Sequence, residues 1–430
     1  MEQPGRSGSG ALERRASIRM HKGRSRSLFS RIFATPVDTV WQQNALGFDK
    51  VGMLIAPILG LATLMPFMNF AENRIVEGEA RSILTALPSV QSTILISLVA
   101  TTALVMLWRT PLRLRAVIGA GAIALLAIFA GLSAGYLSAD AASYARAAPG
   151  SGFWLLLLGF SLALADALAR LRLGPVTRIA LVVGALAALA LLLTSGIWAD
   201  LSILKEYATQ SQAFWREGRQ HMLLAFGSLL LACLVGIPLG IACHPLRRVR
   251  AIILNGLTFI QTVPSIALFG LLIAPLSWLA AKLPWMAALG VSGIGTTPAL
   301  VALFAYSLLP VVANTVAGLD GVPAGASEAA RGMGMTAAQR RVRVELPLAF
   351  PAILAGIRIV LVQNIGLATI AALIGGGGLG VFVFQGIGQA AMDLVLLGAA
   401  PTIVLAFASA VLMDAFIDIS QRANRWGSKR

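Results

Sequence analysis

Long apolar runs, separated by short polar and basic segments, occupy most of the chain after residue 50. A bilayer core about 30 Å thick is crossed by about 20 residues in a helix, and ten runs approach that length. Their apolar residues are continuous rather than alternating, which favours helices over the strands of a membrane barrel. We therefore predict an all-α polytopic membrane protein with spans at approximately 51–69, 92–108, 116–138, 153–169, 179–198, 222–243, 251–276, 298–318, 351–374 and 394–417.

Composition and charge support this class and predict its orientation. Of the 430 residues, 57% are hydrophobic and 12% are charged, whereas about a quarter of a soluble domain is charged. The net charge of +16 lies in short clusters between the apolar runs, so we expect no nucleic-acid partner, which would require one continuous basic patch. An N-terminus in the cytoplasm places 26 of the 34 Lys and Arg on the cytoplasmic side, as membrane insertion favours. Both termini are therefore predicted to be cytoplasmic.

The chain divides into segments of different character. The N-terminal stretch is rich in Ser, Gly and Arg and has too little apolar surface to fold, and its attraction to anionic membrane lipid is an alternative to a plain solvated tail. The two sets of five spans flank a polar external connector. The predicted segments are a disordered basic tail at 1–50, an N-terminal five-span region at 51–200, a connector at 201–219, a second membrane domain at 220–420 with a long cytoplasmic segment at 320–350, and a basic tail at 421–430.

Helix-breaking residues occur inside the spans of the second half. They include Gly236, Pro238, Pro264, Pro310 and the run Gly375 to Gly378. Non-helical backbone at membrane depth is tolerated where it is buried in protein or lines a cavity. These breaks therefore point to a translocation path, although each proline alone could simply kink a helix.

The segment 320–350 carries the most specific pattern in the chain. It contains Glu328-Ala329-Ala330, then Gly334 after three residues, and Val344 and Leu346-Pro347 after nine more. This spacing resembles the coupling-loop signature of permeases of ATP-binding-cassette importers, with valine at 344 where isoleucine is usual. The resemblance implies a helix, a turn that needs glycine at 334, and a second helix that Pro347 begins. It also implies docking on an ATPase subunit.

A wider resemblance covers about residues 219–420. The stretches FIQTVPSIALFGLLI, LLPVVANTVAGL and LATIAALIGGGGLG resemble permeases of the osmoprotectant importer family, which take up glycine betaine, choline and carnitine. Methionine importer permeases are similar, but less so at residues 261–265. The resemblance implies a five-helix MetI-like core and a bacterial inner (cytoplasmic) membrane location. The first five spans resemble those of longer family members, and no role for them follows.

The resemblance also implies that partner subunits supply ATP hydrolysis and substrate binding. None of its five lysines follows a glycine, so a phosphate-binding P-loop is not expected, and ATP and Mg²⁺ are expected on a separate ATPase subunit. A periplasmic or lipid-anchored binding protein would supply the substrate. A second copy of the permease, giving a homodimer, or a paralogue would complete the assembly. We expect no bound cofactor or metal in this chain and no catalytic residue.

The site residues follow from these two patterns. For ATPase coupling they are Glu328, Ala329, Ala330, Gly334, Leu346 and Pro347, and for the translocation pathway they are Gln261, Pro264, Ser265, Asn314, Gly377 and Gly378. One alternative to an osmoprotectant permease is a permease for another small zwitterion, such as methionine or proline. An ion-coupled secondary transporter is another, because four aspartates lie in or beside spans: Asp166, Asp393, Asp414 and Asp418. Each of these is close to a span end, where it can reach water or a cation.

Overall fold

The computed structural model describes residues 47–427 except residues 74, 75, 77 and 143. Most of the basic tail predicted at 1–50 therefore lies outside the described residues, as do the last three residues of the predicted C-terminal tail. The tail boundary at residue 50 is wrong, because Asp49 already caps the first helix by accepting hydrogen bonds from the backbone N–H groups of Val51 and Gly52. Phe48 also pairs with Trp108.

The first half contains six helices and a small sheet. The helices are α1 (Lys50–Leu64), α2 (Ile83–Ala86), α3 (Ser89–Leu107), α4 (Leu112–Ser138), α5 (Ser151–Leu171) and α6 (Pro175–Thr194). The strands are β1 (Met68–Ala71), β2 (Glu79–Arg81) and β3 (Arg146–Pro149), in the antiparallel order β2-β1-β3. Buried apolar residues of α1, α3, α4 and α5 form one core with those of the sheet.

The second half is built around four long helices with a broken one beside them. Its helices are α7 (Ser202–Cys243), α8 (Arg247–Thr262), α9 (Ser265–Lys282), α10 (Pro284–Ala288), α11 (Thr296–Asp320), α12 (Ala324–Gly332), α13 (Ala337–Arg340), α14 (Leu346–Ile370), α15 (Gly380–Gly388) and α16 (Met392–Gly427). A π-helical turn at Arg341–Glu345 joins α13 to α14, and a 3₁₀ turn at Ala371–Ile374 ends α14. Helices α7, α11 and α14 share the central core of this half.

The predicted fold class is confirmed, with two corrections to individual spans. Within the described residues, nine helices are long and apolar enough to cross a membrane, and α1 is a shorter apolar helix of 15 residues. The first span was predicted to reach residue 69, but α1 ends at Leu64 because Met65 precedes Pro66 and adopts an extended conformation. The predicted span 251–276 is split between α8 and α9. Pro264 lacks an N–H, and Val263 before it is extended.

Two polar features near the boundary between the two halves were not predicted from the sequence. The β-sheet was not predicted, because its strands are only three or four residues long. The predicted connector 201–219 is helical and forms the first part of α7, which kinks at Gln210. There Arg146 pairs with the buried carboxylate of Glu206 at 3.2 Å, and the Lys205 ammonium donates to the Ala145 carbonyl at 3.0 Å. The connector therefore attaches the sheet to the second half.

A buried ion-pair cluster holds α1, α4 and α5 together at the end where α3 meets α4. The Arg115 Nη1 atom lies 3.0 Å from Asp49 Oδ2 and 3.7 Å from Asp166 Oδ2. Arg170 Nη1 lies 2.9 Å from the same Asp49 oxygen, and Arg170 Nε lies 2.8 Å from Asp166 Oδ1. Arg115 is only 2% exposed and also donates to the Trp108 carbonyl at 2.6 Å. Two carboxylates thus balance two guanidinium groups, as buried charges require.

Candidate functional site

The coupling segment, residues 320–350, begins with the short helix α12. Glu328 and Ala329 are exposed on it, while Ala330 is buried against the protein. On the same helix Ser327 donates from Oγ to Glu345 Oε1 at 3.0 Å, and Arg340 Nε donates to the same oxygen at 2.8 Å. These two hydrogen bonds to Glu345 attach α12 to the later part of the segment, while Glu328 and Ala329 stay exposed.

A tight turn at Gly334 separates α12 from α13. The Met333 N–H donates to the Ala329 carbonyl at 3.0 Å, and the Met335 N–H donates to the Ala330 carbonyl at 3.1 Å. Gly334 has φ +78°, and a Cβ added there would meet no atom within 4 Å. The need for glycine is therefore conformational, since L residues avoid the left-handed region.

The second helix of the segment runs into the membrane through a π-helical turn. Thr336 caps α13 by accepting from the Gln339 N–H at 3.2 Å, and the Gln339 side chain accepts from the Thr336 N–H at 2.9 Å. The Leu346 N–H donates to the Arg341 carbonyl, five residues back. Because Pro347 has no N–H, the wider π-helical turn accommodates the missing bond. Pro347 is therefore the second residue of α14 in a continuous helix, not the start of a separate one.

Leu346 faces inwards from this junction. It packs with the buried residues Leu319, Ala349 and Ile353, and with Val322 from the connection between α11 and α12. The coupling segment is thus joined to α11 and α14 by direct apolar contact. The four remaining predicted coupling residues, Glu328, Ala329, Gly334 and Pro347, are exposed.

The break between α8 and α9 borders an open cleft of about 350 Å³. This volume lies within the range of small-molecule sites. Its lining is uncharged and is formed by Gln261, Thr262, Val263, Pro264, Ser265, Tyr306, Gln363 and Leu367. Two hydrogen bonds fix the break to α11: the Gln261 Nε2 donates to the Tyr306 carbonyl at 2.8 Å, and the Tyr306 hydroxyl donates to the Val263 carbonyl. Tyr306 lies near the middle of α11.

The other predicted pathway residues lie elsewhere. Asn314 donates from Nδ2 to the Pro310 carbonyl within α11 at 2.8 Å. Its side chain packs so closely against α14 that a Cβ on Gly356 would lie 2.7 Å from the Asn314 Cβ. Asn314 therefore marks a close helix contact and does not line the cleft described above.

Gly377 and Gly378 belong to a loop between the 3₁₀ turn and α15. Both have positive φ, at +73° and +88°. The Gly378 N–H donates to the buried Glu217 Oε2 at 2.9 Å, and the Gln220 Nε2 donates to the Gly376 carbonyl at 2.9 Å. A Cβ on Gly377 would lie 2.8 Å from Glu217 Oε2. The loop is thus packed against α7, at the opposite end of the helices from the coupling segment.

Sequence reasoning missed several residues that hold these elements. Tyr306 and Gln363 line the cleft from α11 and α14, and Glu217 and Gln220 bind the glycine loop. A buried cluster at membrane depth was also missed, in which Asn364 donates from Nδ2 to Ser228 Oγ and Ser307 Oγ, each at 2.8 Å. Polar side chains inside apolar spans were a signal in the sequence. The sequence does not show which side of each helix these side chains occupy.

The fold and these sites define a polytopic helical membrane protein with one broken span and a helix-turn-helix segment at 320–350. Residues 234–426 match the family described as binding-protein-dependent transport system inner membrane component. Residues 49–204 match the N-terminal domain of the ABC transporter permease YehY.

Named relatives align with the second half. The osmoprotectant import permease protein OsmW of Salmonella typhimurium is 42% identical over 44% of this chain and 82% of its own length. The osmoprotectant import permease protein OsmY of the same organism is 45% identical over 44% of this chain and 74% of its own length. The choline transport system permease protein OpuBB of Bacillus subtilis is 36% identical over 47% of this chain and 84% of its own length. The chain therefore belongs to the family of inner membrane permeases of binding-protein-dependent ABC importers, as the coupling segment predicted.

Among solved structures, a partial similarity to a methionine transporter is found. A chain from the inward-facing MetNI methionine ABC transporter covers 49% of this chain and 98% of its own length, with a TM-score of 0.42 and 22% identity.

Proposed function

We propose that this permease imports compatible solutes with a quaternary ammonium group, such as glycine betaine, choline or carnitine. The observation that carries the substrate class is the 33–45% identity to relatives whose names specify osmoprotectant, choline or carnitine transport. The cleft suits such solutes because its lining is uncharged, so no fixed charge would hold a cation or a zwitterion too tightly. A site that releases its substrate must bind weakly.

The proposed mechanism is alternating access driven by partner subunits. A separate ATPase hydrolyses ATP and docks on the exposed residues Glu328, Ala329 and Gly334. A periplasmic or lipid-anchored binding protein delivers the solute to the opposite side. Two permease chains, in a homodimer or with a paralogue, provide two docking segments for two ATPases. The orientation that fits is both termini in the cytoplasm of a bacterial inner membrane.

The described contacts of the span aspartates favour this mechanism over ion coupling. Asp166 lies in the cluster with Arg115 and Arg170, Asp418 pairs with Arg178 at 3.0 Å, and Asp414 lies 2.9 Å from Arg358. Each of these three carboxylates has an arginine that balances its charge. A carboxylate that carries protons across the membrane would need to lose that charge during each cycle.

The experiment that tests the function is reconstitution with identified partners. The tagged chain is purified in mild detergent, and co-purifying polypeptides are identified before uptake is measured in proteoliposomes. We expect an ATP-binding partner and ATP-dependent uptake of betaine, choline or carnitine. The same assembly transporting methionine or proline instead would overturn the substrate class. Uptake by the chain alone on a proton gradient would overturn the importer mechanism.

A cleft-filling substitution tests the translocation path. Ser265→Leu places a larger apolar side chain in the cleft, and we expect uptake to fall at least about tenfold, equivalent to about 1.4 kcal/mol of added barrier. Co-purification with the ATPase should be unchanged, because Arg250 near the start of α8 contacts Asp320 of the coupling segment, whereas Ser265 follows the other end of α8. Ala267→Leu, at an exposed position of α9 that does not line the cleft, is the matched control. Uptake that is equal in the two variants would remove the cleft from the path.

A further inference from the structure

An arginine, an aspartate and a histidine meet beside the coupling segment, where α7 and α11 end and α8 begins. Arg250 of α8 donates from Nη1 to both carboxylate oxygens of Asp320, at 3.2 Å and 2.9 Å. The His244 Nε2 atom, at the end of α7, lies 3.1 Å from Asp320 Oδ1. Asp320 therefore connects the ends of three helices that belong to the membrane domain.

Asp320 lies immediately before the helix that carries the coupling surface. It is the last residue of α11, and α12 begins four positions later at Ala324. The connection is short and held by backbone hydrogen bonds, from the Gly321 N–H to the Ala317 carbonyl at 3.0 Å and from the Val322 N–H to the Leu319 carbonyl at 3.3 Å. A displacement of α12 will therefore move the end of α11.

The other end of α8 forms the cleft. Gln261 and Val263 are tied to Tyr306 of α11 by the two hydrogen bonds described above. Between Asp320 and Tyr306 the helix rises about 21 Å, and between Arg250 and Gln261 about 17 Å. The two helices thus run antiparallel with matching lengths, and Leu257 of α8 is buried between them against Val312 and Val316.

We infer that the Arg250–Asp320 pair transmits movement of the coupling segment to the cleft. Helix α8 is fixed to α11 at both ends, so the pair makes α8 follow α11 when the ATPase displaces α12. Because α8 ends at Thr262 and α9 is a separate helix that begins at Ser265, this movement shifts α8 relative to α9 and reshapes the cleft between them. Asp320 and Arg250 are positioning residues in this role, and neither touches the solute. The inference rests on the proposed ATP-driven import.

A purely stabilising role for this pair is the alternative. Asp320 is 51% exposed and Arg250 is 29% exposed. Ion pairs that water reaches this freely contribute little to folding stability. Asp320→Asn should therefore leave the fold and the complex intact, so that a change in coupling can be measured separately from stability.

The first test follows the cleft itself and requires no transported solute. Ser265→Cys is introduced after Cys233→Ala and Cys243→Ala remove the two native thiols, and its maleimide labelling rate is measured in the complex with the ATPase, with and without ATP. We expect ATP to change the rate, and Asp320→Asn to reduce that change about two- to thirtyfold. Asp320→Glu, which keeps the carboxylate, should restore it. An unchanged ATP response in Asp320→Asn would overturn the inference.

The second test measures ATP hydrolysed per solute imported. Asp320→Asn should raise this ratio, while the combined exchange Asp320→Arg with Arg250→Asp should lower it again. The control is Asp418→Asn, which breaks a similar half-exposed pair between α16 and α6. An equal effect of Asp418→Asn, or loss of the ATPase from the Asp320→Asn complex, would contradict the relay. Failure of the unsubstituted complex to import any solute with ATP would instead contradict the proposed function.

Discussion

Gly334→Val should uncouple ATP hydrolysis from solute uptake while leaving membrane insertion intact. Gly334 has φ +78° in the turn between α12 and α13, where an L residue costs about 1–2 kcal/mol and a β-branched one costs more. A penalty of this size shifts the population of the native turn about 5- to 30-fold. The proposed docking surface on α12 would then be misplaced relative to α14.

The measurement compares uptake and ATPase activity in reconstituted complexes. The matched control is Gly334→Asn, because asparagine tolerates the left-handed conformation better than valine. Space does not limit either side chain, since nothing lies within 4 Å of an added Cβ. We expect Asn to retain most of the uptake that Val loses. Normal uptake by the valine variant would refute the docking role, and equal losses would point to direct contact with the partner rather than turn geometry.

Arg115→Met should destabilise the N-terminal bundle more than any exposed substitution in it. The change removes the buried guanidinium group that contacts Asp49 and Asp166. The two carboxylates then have only the Arg170 side chain to balance their charge. Breaking a buried ion pair in this way costs about 3–5 kcal/mol. The variant should therefore show a markedly lower melting temperature in detergent. Arg113→Met, two residues earlier on α4 and exposed, is the control and should melt close to the unsubstituted protein.

The same cluster predicts a pH dependence. Burial alone would raise the pKa of Asp49, but hydrogen bonds from Arg170, the Val51 N–H and Arg115, with the charge of Arg115, lower that pKa from 3.8 to about 2. A lowered pKa in the folded state stabilises the fold above pH 3.8, and this stabilisation is lost as the pH falls through about 2. Melting curves between pH 2 and pH 5 should show this loss for the unsubstituted bundle. If Arg115→Met melts as Arg113→Met does, the cluster does not support the bundle.

The sequence predicted the parts of the fold that depend on local pattern. Helix α11 was expected at 298–318 and spans Thr296–Asp320, because a continuous apolar run determines a membrane helix regardless of its neighbours. The turn at Gly334 was predicted from the resemblance of residues 328–347 to the coupling-loop signature, together with the conformational freedom of glycine. The sheet was not predicted, because the pairing of Met68 with Pro149 joins positions about 80 residues apart. Such a pairing produces no repeating hydrophobic pattern within either short strand.

The candidate pathway shows the limit of such reasoning. Pro264 predicted a break, and the structure places Gln261, Pro264 and Ser265 together in one cleft. Asn314 lies against Gly356, and Gly377 lies against Glu217. Local sequence marks where backbone is irregular or a polar group is present, but not which side of a helix faces a neighbour. The assignment of these residues to the pathway therefore stays a prediction.

The sequence by itself determined the membrane class and the approximate spans, because hydrophobic length is a property of adjacent residues, and it located the segment 320–350 through its resemblance to a family signature. Only the tertiary structure decided that Asp49 meets Arg115 and Arg170, that Tyr306 holds the break at Val263, and that Asp320 joins α8 to the coupling segment. These contacts link residues 43 to 121 positions apart. Their energy depends on burial and on how helices are rotated against one another, which the order of residues along one helix does not specify.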